Sequence, residues 1–132
     1  MNAEKVHFER VLKSKSPNII WPLLSTQEGL SKWIANEVKL VDGRFVFTWG
    51  DVNNAHEIRT ADIIGKKEFE YIRFRWAEER FKDTYWELRM EKSELTGDYI
   101  LSITDFALDY DFDTLEDIWD ANMENLYRKT GV

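Results

Sequence analysis

The chain has no cysteine and only two histidines among its 132 residues. Without thiols it forms no disulfide and offers no thiolate nucleophile, which suits a reducing compartment, so a cytoplasmic location is expected. His7 and His56 sit on predicted strands or their edges, with no partners at metal-ligand or triad spacing. The six glycines are scattered at turns and form no phosphate-binding fingerprint. No serine or threonine occupies a nucleophile elbow. No catalytic residue, metal or cofactor is therefore expected. Apolar runs fall short of a bilayer's thickness, and "MNAEKVHFERV" lacks the basic-then-apolar order of a secretory signal, so no membrane partner is expected.

Bases are outnumbered as well, 18 Lys and Arg against 25 Asp and Glu, for a formal net charge of −7. From Asp105 onward stand Asp105, Asp109, Asp111, Asp113, Glu116, Asp117, Asp120 and Glu124 against Arg128 and Lys129, so that segment holds −6 of it. Phosphate backbones need a basic face, and a nucleic-acid partner is accordingly not expected. An acidic solvated helix explains the segment; a basic protein partner is the other reading. Within it, Asp109, Asp111, Asp113, Asp117 and Asp120 fall at calcium-loop positions. However, Thr114 stands where the loop's sharp turn requires glycine and Asp120 where a bidentate glutamate belongs, so calcium is not predicted.

Apolar residues are abundant: 43% of the chain is hydrophobic and 14% aromatic, enough for one core over residues 1–132. "EKVHFERVLKS" places Val6 and Phe8 opposite His7 and Glu9, as a half-buried strand does. Ser16-Pro17 reads as an N-cap with proline at the first helical position, followed by Ile20, Leu23 and Leu24 at helical spacing. Pro22 should bend or shorten that helix. Ser25 to Glu28 reads as the capping box of a second short helix carrying Leu30, Trp33 and Ile34.

The period then changes to two. Phe45, Phe47 and Trp49 share one face; so do Ile72, Phe74 and Trp76; so do Trp86, Leu88 and Met90. Residues 56–65 and 98–108 also read as strands, without an assignable inner face. Asp42-Gly43, Asn53-Asn54, Gly65-Lys66 and Gly97-Asp98 are turn signals between the strands. Asp113, with Glu116 three residues on, begins a long final helix whose apolar face carries Leu115, Ile118, Trp119, Met123, Leu126 and Tyr127. The order predicts an α+β helix-grip fold: a curved antiparallel sheet, two short helices after its first strand, and a long C-terminal helix packed on the concave face.

Three motifs carry a resemblance to a known family. They are Ser16-Pro17 with Ile20-Trp21, Leu30 and Trp33; the glycine-initiated aromatic strand Asp42-Gly43-Arg44-Phe45-Val46-Phe47; and the final helix with Trp119, Met123 and Leu126. In order and spacing they resemble the START-like (SRPBCC, Bet v 1-like) superfamily, in the branch related to the activator of the heat-shock-protein-90 ATPase. The resemblance spans essentially the whole chain. Pro22 departs from it, as does Ile118, where a glycine commonly precedes the helix tryptophan; both bear on the pocket mouth. The resemblance implies a cavity between sheet and final helix, often occupied by a hydrophobic small molecule. It implies no common activity.

Trp33, Phe45, Phe47, Trp49, Phe74, Trp76, Trp86, Leu88, Trp119 and Met123 are the residues expected to line such a cavity, unless large rings fill the space instead. The leading expectation is a domain without catalytic activity that binds a hydrophobic or amphipathic small molecule, as monomer or homodimer. The alternative is a protein-interaction or chaperone-associated module without a ligand, using the acidic helix or Tyr71, Tyr85 and Tyr110. The chain has no counterpart of the activator's separate N-terminal domain, so stimulation of the ATPase is not expected of it. An enzyme of cyclase or hydrolase type is the third reading. It needs an inward ionisable pair, yet Arg59, Asp62 and Asp105 are each expected on the outer, solvated face.

Overall fold

A computed structural model describes residues 3–51, 54–78, 83–108 and 111–132; Asn53, Asp109, Tyr110 and the side chain of His56 lie outside the described residues. Strand β1 (Ala3–Val11) buries Val6 and Phe8 and exposes His7 and Glu9, as its alternation predicts. The chain then crosses the molecule through two short helices. In α1 (Pro17–Ser25) the Ser16 carbonyl accepts from Ile20 N at 3.0 Å, although the Ser16 hydroxyl makes no capping bond. Pro22 sits inside this helix, and its carbonyl accepts from both the backbone N–H (3.1 Å) and the hydroxyl (2.7 Å) of Thr26.

The cap of α2 (Gln27–Leu30) is Thr26, one residue later than the expected Ser25. Thr26 has the extended backbone a cap requires, and its Oγ1 accepts from Gly29 N at 2.9 Å. Ser25 instead donates to the Trp21 carbonyl within α1. The second helix is also shorter than expected. It ends at Leu30, and Trp33 and Ile34 are set by the turn that follows.

The remaining strands are β2 (Glu37–Val41), β3 (Arg44–Asp51), β4 (Asn54–Lys67), β5 (Tyr71–Trp76), β6 (Trp86–Lys92) and β7 (Tyr99–Leu108). All pairs are antiparallel, in the order β1-β7-β6-β5-β4-β3-β2, so the first strand closes beside the last. Strand β2 carries no readable alternation, because Val38 is buried while Leu40 and Val41 both face solvent. The expected turn at Gly65-Lys66 lies within β4. There the register shifts between Ile63 and Gly65, and the chain reverses at residues 68–70. A Cβ on Gly65 would come to 3.3 Å from the Tyr71 ring, which explains glycine at this bulge better than a turn does.

One face of the sheet is dry. Phe45, Phe47, Ile72, Phe74, Trp86, Leu88, Leu101 and Ile103 are all at most 2% exposed on it. Helix α3 (Phe112–Thr130) packs over that face through Trp119, Met123 and Leu126. Its N-cap is Asp111 and not Asp113, which falls in the first turn; the expected capping box is therefore not formed, though acid there still suits the helix dipole. The helix ends at Gly131 (φ +74°), whose N–H reaches the Tyr127 carbonyl, after Arg128 and Lys129 in the last turn. Ile118 and Tyr127 were expected on the buried face, but are 50% and 37% exposed.

Candidate ligand-binding site

Between the dry face and the first half of α3 the packing opens into a cavity of about 840 Å³. Helix α3 contributes Asp111, Thr114, Leu115, Ile118, Trp119, Ala121 and Asn122 to its wall. The sheet contributes Trp49, Glu57, Arg59, Trp76 and Trp86 from one side and Asp105, Phe106 and Ala107 from the other, with Thr84 just before β6, and Ala3 and Ile34, completing the wall. The volume falls in the range of small-molecule sites, roughly 300–1,000 Å³.

Of the ten residues expected from the sequence, Trp49, Trp76, Trp86 and Trp119 stand in this wall. Their rings form a chain, with centroids 6.2 Å apart for Trp49–Trp76, 5.2 Å for Trp76–Trp86 and 6.0 Å for Trp86–Trp119. Phe45, Phe47, Phe74 and Leu88 lie fully buried on the sheet and hold the wall from behind. Phe74 stacks on Trp86 at 4.1 Å, and Phe47 meets Trp76 edge-on at 5.4 Å. Met123 is buried beneath α3. Trp33 backs Trp119 at 6.2 Å and borders a separate recess of about 130 Å³ with Asn36, Asn125 and Lys129.

Local hydrogen bonds fix these rings. Trp33 Nε1 donates to the Leu23 carbonyl at 2.8 Å, which locks the turn after α2 onto α1. The Ile34 carbonyl then accepts from Trp49 Nε1 at 3.0 Å. Trp119 Nε1 donates to Asp105 Oδ2 at 2.9 Å, tying α3 to β7. Trp86 differs: its Nε1–H is buried and finds no acceptor among the described residues.

The polar groups of the wall include residues that were expected elsewhere. Arg59 and Asp105 border the cavity and are not on the outer face. Arg59 lies opposite Phe47 in the β3–β4 register and Asp105 opposite Val6 in the β1–β7 register, and partners so placed share a face of the sheet. The Arg59 guanidinium lies 4.0 Å from the Trp76 ring centroid while its Nε donates to Glu78 at 2.6 Å. Asp62 does face solvent, where it pairs with Arg44 and raises that guanidinium's pKa through their hydrogen bond. Glu57 and Asn122 were not anticipated as wall residues, whereas Ile118, expected to bear on the pocket mouth, does border the cavity. Glu57 faces Trp49 across the β3–β4 pair, a placement legible only once the strand register is known. Among the described residues, no three of His, Asp or Glu are grouped so as to hold a metal ion.

The outer face carries the other candidate set. Glu87, 8% exposed, accepts from Arg73 at 2.8 and 3.0 Å and from Arg89 at 3.2 Å. Burial lowers the pKa of Arg73, but the hydrogen bond and charge of Glu87 outweigh it and leave the guanidinium raised. Arg73 lies over Tyr85 at 4.1 Å and Arg89 over Tyr71 at 4.7 Å. These two tyrosines, considered for an interface, are therefore engaged by guanidinium groups within the chain. Asp117 and Asp120 on α3 are exposed.

A sheet curled around one long helix, with an open tryptophan-walled cavity between them, defines a helix-grip domain. The model of the START-like superfamily domain matches residues 1–132, and the chain belongs to that family. A Bacteroides fragilis protein, BfR322, solved by NMR, is 38% identical, with a TM-score of 0.65 over 97% of this chain and 91% of that one. The Aha1 dimer from Colwellia psychrerythraea is 14% identical, with a TM-score of 0.69 over 96% of this chain and 97% of its own. Protein CV1439 from Chromobacterium violaceum is 16% identical, with a TM-score of 0.67 over 93% of this chain and 94% of its own. The last two likenesses concern the fold. No curated protein matches the chain. Among the described residues, no helix is long and apolar enough to cross a membrane.

Proposed function

We propose that residues 1–132 act as one START-like domain that binds a hydrophobic or amphipathic small molecule between the sheet and α3. The observation that carries this is the open cavity of about 840 Å³ walled by Trp49, Trp76, Trp86 and Trp119. Large rings that filled the space would have left no such volume. Here Phe45, Phe47 and Phe74 are buried on the sheet, and Trp49, Trp76, Trp86 and Trp119 border the open volume. Burial of apolar ligand surface at roughly 25 cal/mol per Å² supplies the affinity, and Arg59, Asp105 and Trp86 supply orientation. The cysteine-free chain suits work in the cytoplasm.

The test is native mass spectrometry of protein purified from its own host, followed by organic extraction. A reproducible apolar adduct that is lost in Trp119→Ala is the expected result. A clean apo mass across preparations sinks the proposal and shifts attention to the exposed acids of α3. Charge reversal at Asp117 and Asp120 would then weaken capture of a basic partner while folding stays intact.

A further inference from the structure

We infer that the occupant of the cavity is a flat, uncharged ring compound bearing a hydrogen-bond acceptor, such as a ring ketone, and not a fatty acid. The inference rests on the ligand-binding proposal above and names the chemical class for that same site. Three features of the wall converge on it.

The first is shape. Trp49, Trp76, Trp86 and Trp119 present rigid planar surfaces, and adjacent centroids stand only 5.2 to 6.2 Å apart. Planar rings favour offset or edge contacts with other rings beyond what their buried area alone gives. A flexible acyl chain gains the area but not those contacts, and it loses rotamer freedom on binding.

The second is the indole N–H inventory. Trp33, Trp49 and Trp119 each donate to an identified acceptor. Trp86, 2% exposed and part of the cavity wall, has a buried Nε1–H with no acceptor among the described residues. Indole nitrogen is a donor only, so the partner it lacks must be an acceptor. A carbonyl or ether oxygen, or a ring nitrogen, on the ligand answers that need.

The third is charge. Glu57, Asp105 and Asp111 border the cavity against one cation, Arg59, among the described residues. Arg59 is already bonded to Glu78 and stacked on Trp76. A ligand carboxylate would therefore meet an acidic wall and a cation already engaged. Asp105 is likewise committed to the donors of Trp119 and Phe106, and Glu57 stands 3.9 Å from Arg59.

Matched probes test this in the full chain by calorimetric titration: fluorene, 9-fluorenone, 9-fluorenone-4-carboxylate and dodecanoate. They are smaller than the cavity and report on its tryptophan end. Fluorenone should bind about 5- to 10-fold more tightly than fluorene, the yield of one hydrogen bond to an otherwise unsatisfied donor. The carboxylate and dodecanoate should bind at least about tenfold more weakly than fluorenone. In Trp86→Phe the advantage of fluorenone over fluorene should disappear, whatever the smaller ring costs both probes alike. In the NMR spectrum, the indole N–H signal missing from Trp86→Phe should move downfield with fluorenone and not with fluorene.

Equal affinities for fluorene and fluorenone, or a preference for dodecanoate, would overturn the inference while leaving ligand binding intact. Failure of all four probes would overturn ligand binding and the inference together. If Trp86→Phe does not fold, the wild-type comparison of fluorene with fluorenone still decides.

Discussion

Replacing Gly29 by alanine sets local preference against packing. In an isolated helix, alanine is better than glycine by about 1 kcal/mol, so propensity alone says the variant is more stable. The structure reverses the sign. A Cβ on Gly29 would lie 2.0 Å from the Pro22 carbonyl oxygen and 2.6 Å from the Leu23 Cα, both of them backbone atoms that cannot swing aside. The Pro22 oxygen is moreover the acceptor for both Thr26 bonds, so moving it loosens the joint between α1 and α2. Overpacking of this kind costs about 1–3 kcal/mol, and the weakened bonds add about 1 kcal/mol, giving a loss of about 2–4 kcal/mol. Over 132 residues, at ~2.1 cal/mol/K per residue, that lowers the melting temperature by about 7–14 °C. Calorimetry of Gly29→Ala checks the figure. Gly43→Ala is the control: its φ is +78° with nothing within 4 Å, so only backbone strain of about 1–2 kcal/mol is expected. A Gly29→Ala protein as stable as wild type, or more stable, would refute the close approach of the two helices. It would also remove the support for the positions of Trp33, Ile34 and thus Trp49.

Other perturbations probe other parts of the molecule. Glu87→Ala strips the shared acceptor from Arg73 and Arg89. Breaking a buried pair costs about 3–5 kcal/mol, but both arginines are about a third exposed, so a loss of about 2 kcal/mol in urea unfolding is expected. Trp119→Phe keeps an aromatic ring, though a smaller one, and removes the donor to Asp105; it should lower the urea-derived stability by at least about 1–2 kcal/mol. Tyr127 has its pKa lowered, first by the hydrogen bond from Lys13 and then by the charge of that ammonium. Ultraviolet titration should find one tyrosine ionising early, and Lys13→Met should return it to the ordinary range near ~10. Because the folded-state value is depressed, the linked stabilisation is complete above the unfolded value and is lost as pH falls through the folded one.

The fold was largely legible because its main strands are half-buried. Ile72 and Phe74, and Trp86 and Leu88, alternate with charged or polar neighbours, and Phe45 and Phe47 with Arg44, Val46 and Thr48, so period two assigned their inner face without any partner strand. Strand β2 offered no such contrast, since Leu40 and Val41 are apolar and yet exposed. The Gly65 bulge read as a turn because glycine marks both, and only the β4–β5 register separates them. The site was legible as aromatic but not as polar. Arg59, Asp105 and Glu57 belong to strands whose inner face no alternation reveals, and side chains that border a cavity look in sequence like side chains that face solvent. Which rings face the void and which back them, Trp76 against Phe74 for example, depends on where α3 lifts from the sheet. Nothing local in the chain encodes that.

The run of rings from Trp33 through Trp119, Trp86 and Trp76 to Trp49 has an optical consequence. Successive centroids stand 5.2 to 6.2 Å apart, near enough for dipole coupling to pass excitation from one indole to the next. The five chromophores therefore behave as one antenna. Light absorbed at the buried Trp33 can be emitted from the partly exposed Trp49 or Trp76, and a quencher at any one ring darkens the others. The chain thus carries a collective fluorescent reporter of whatever enters its cavity, with no added label.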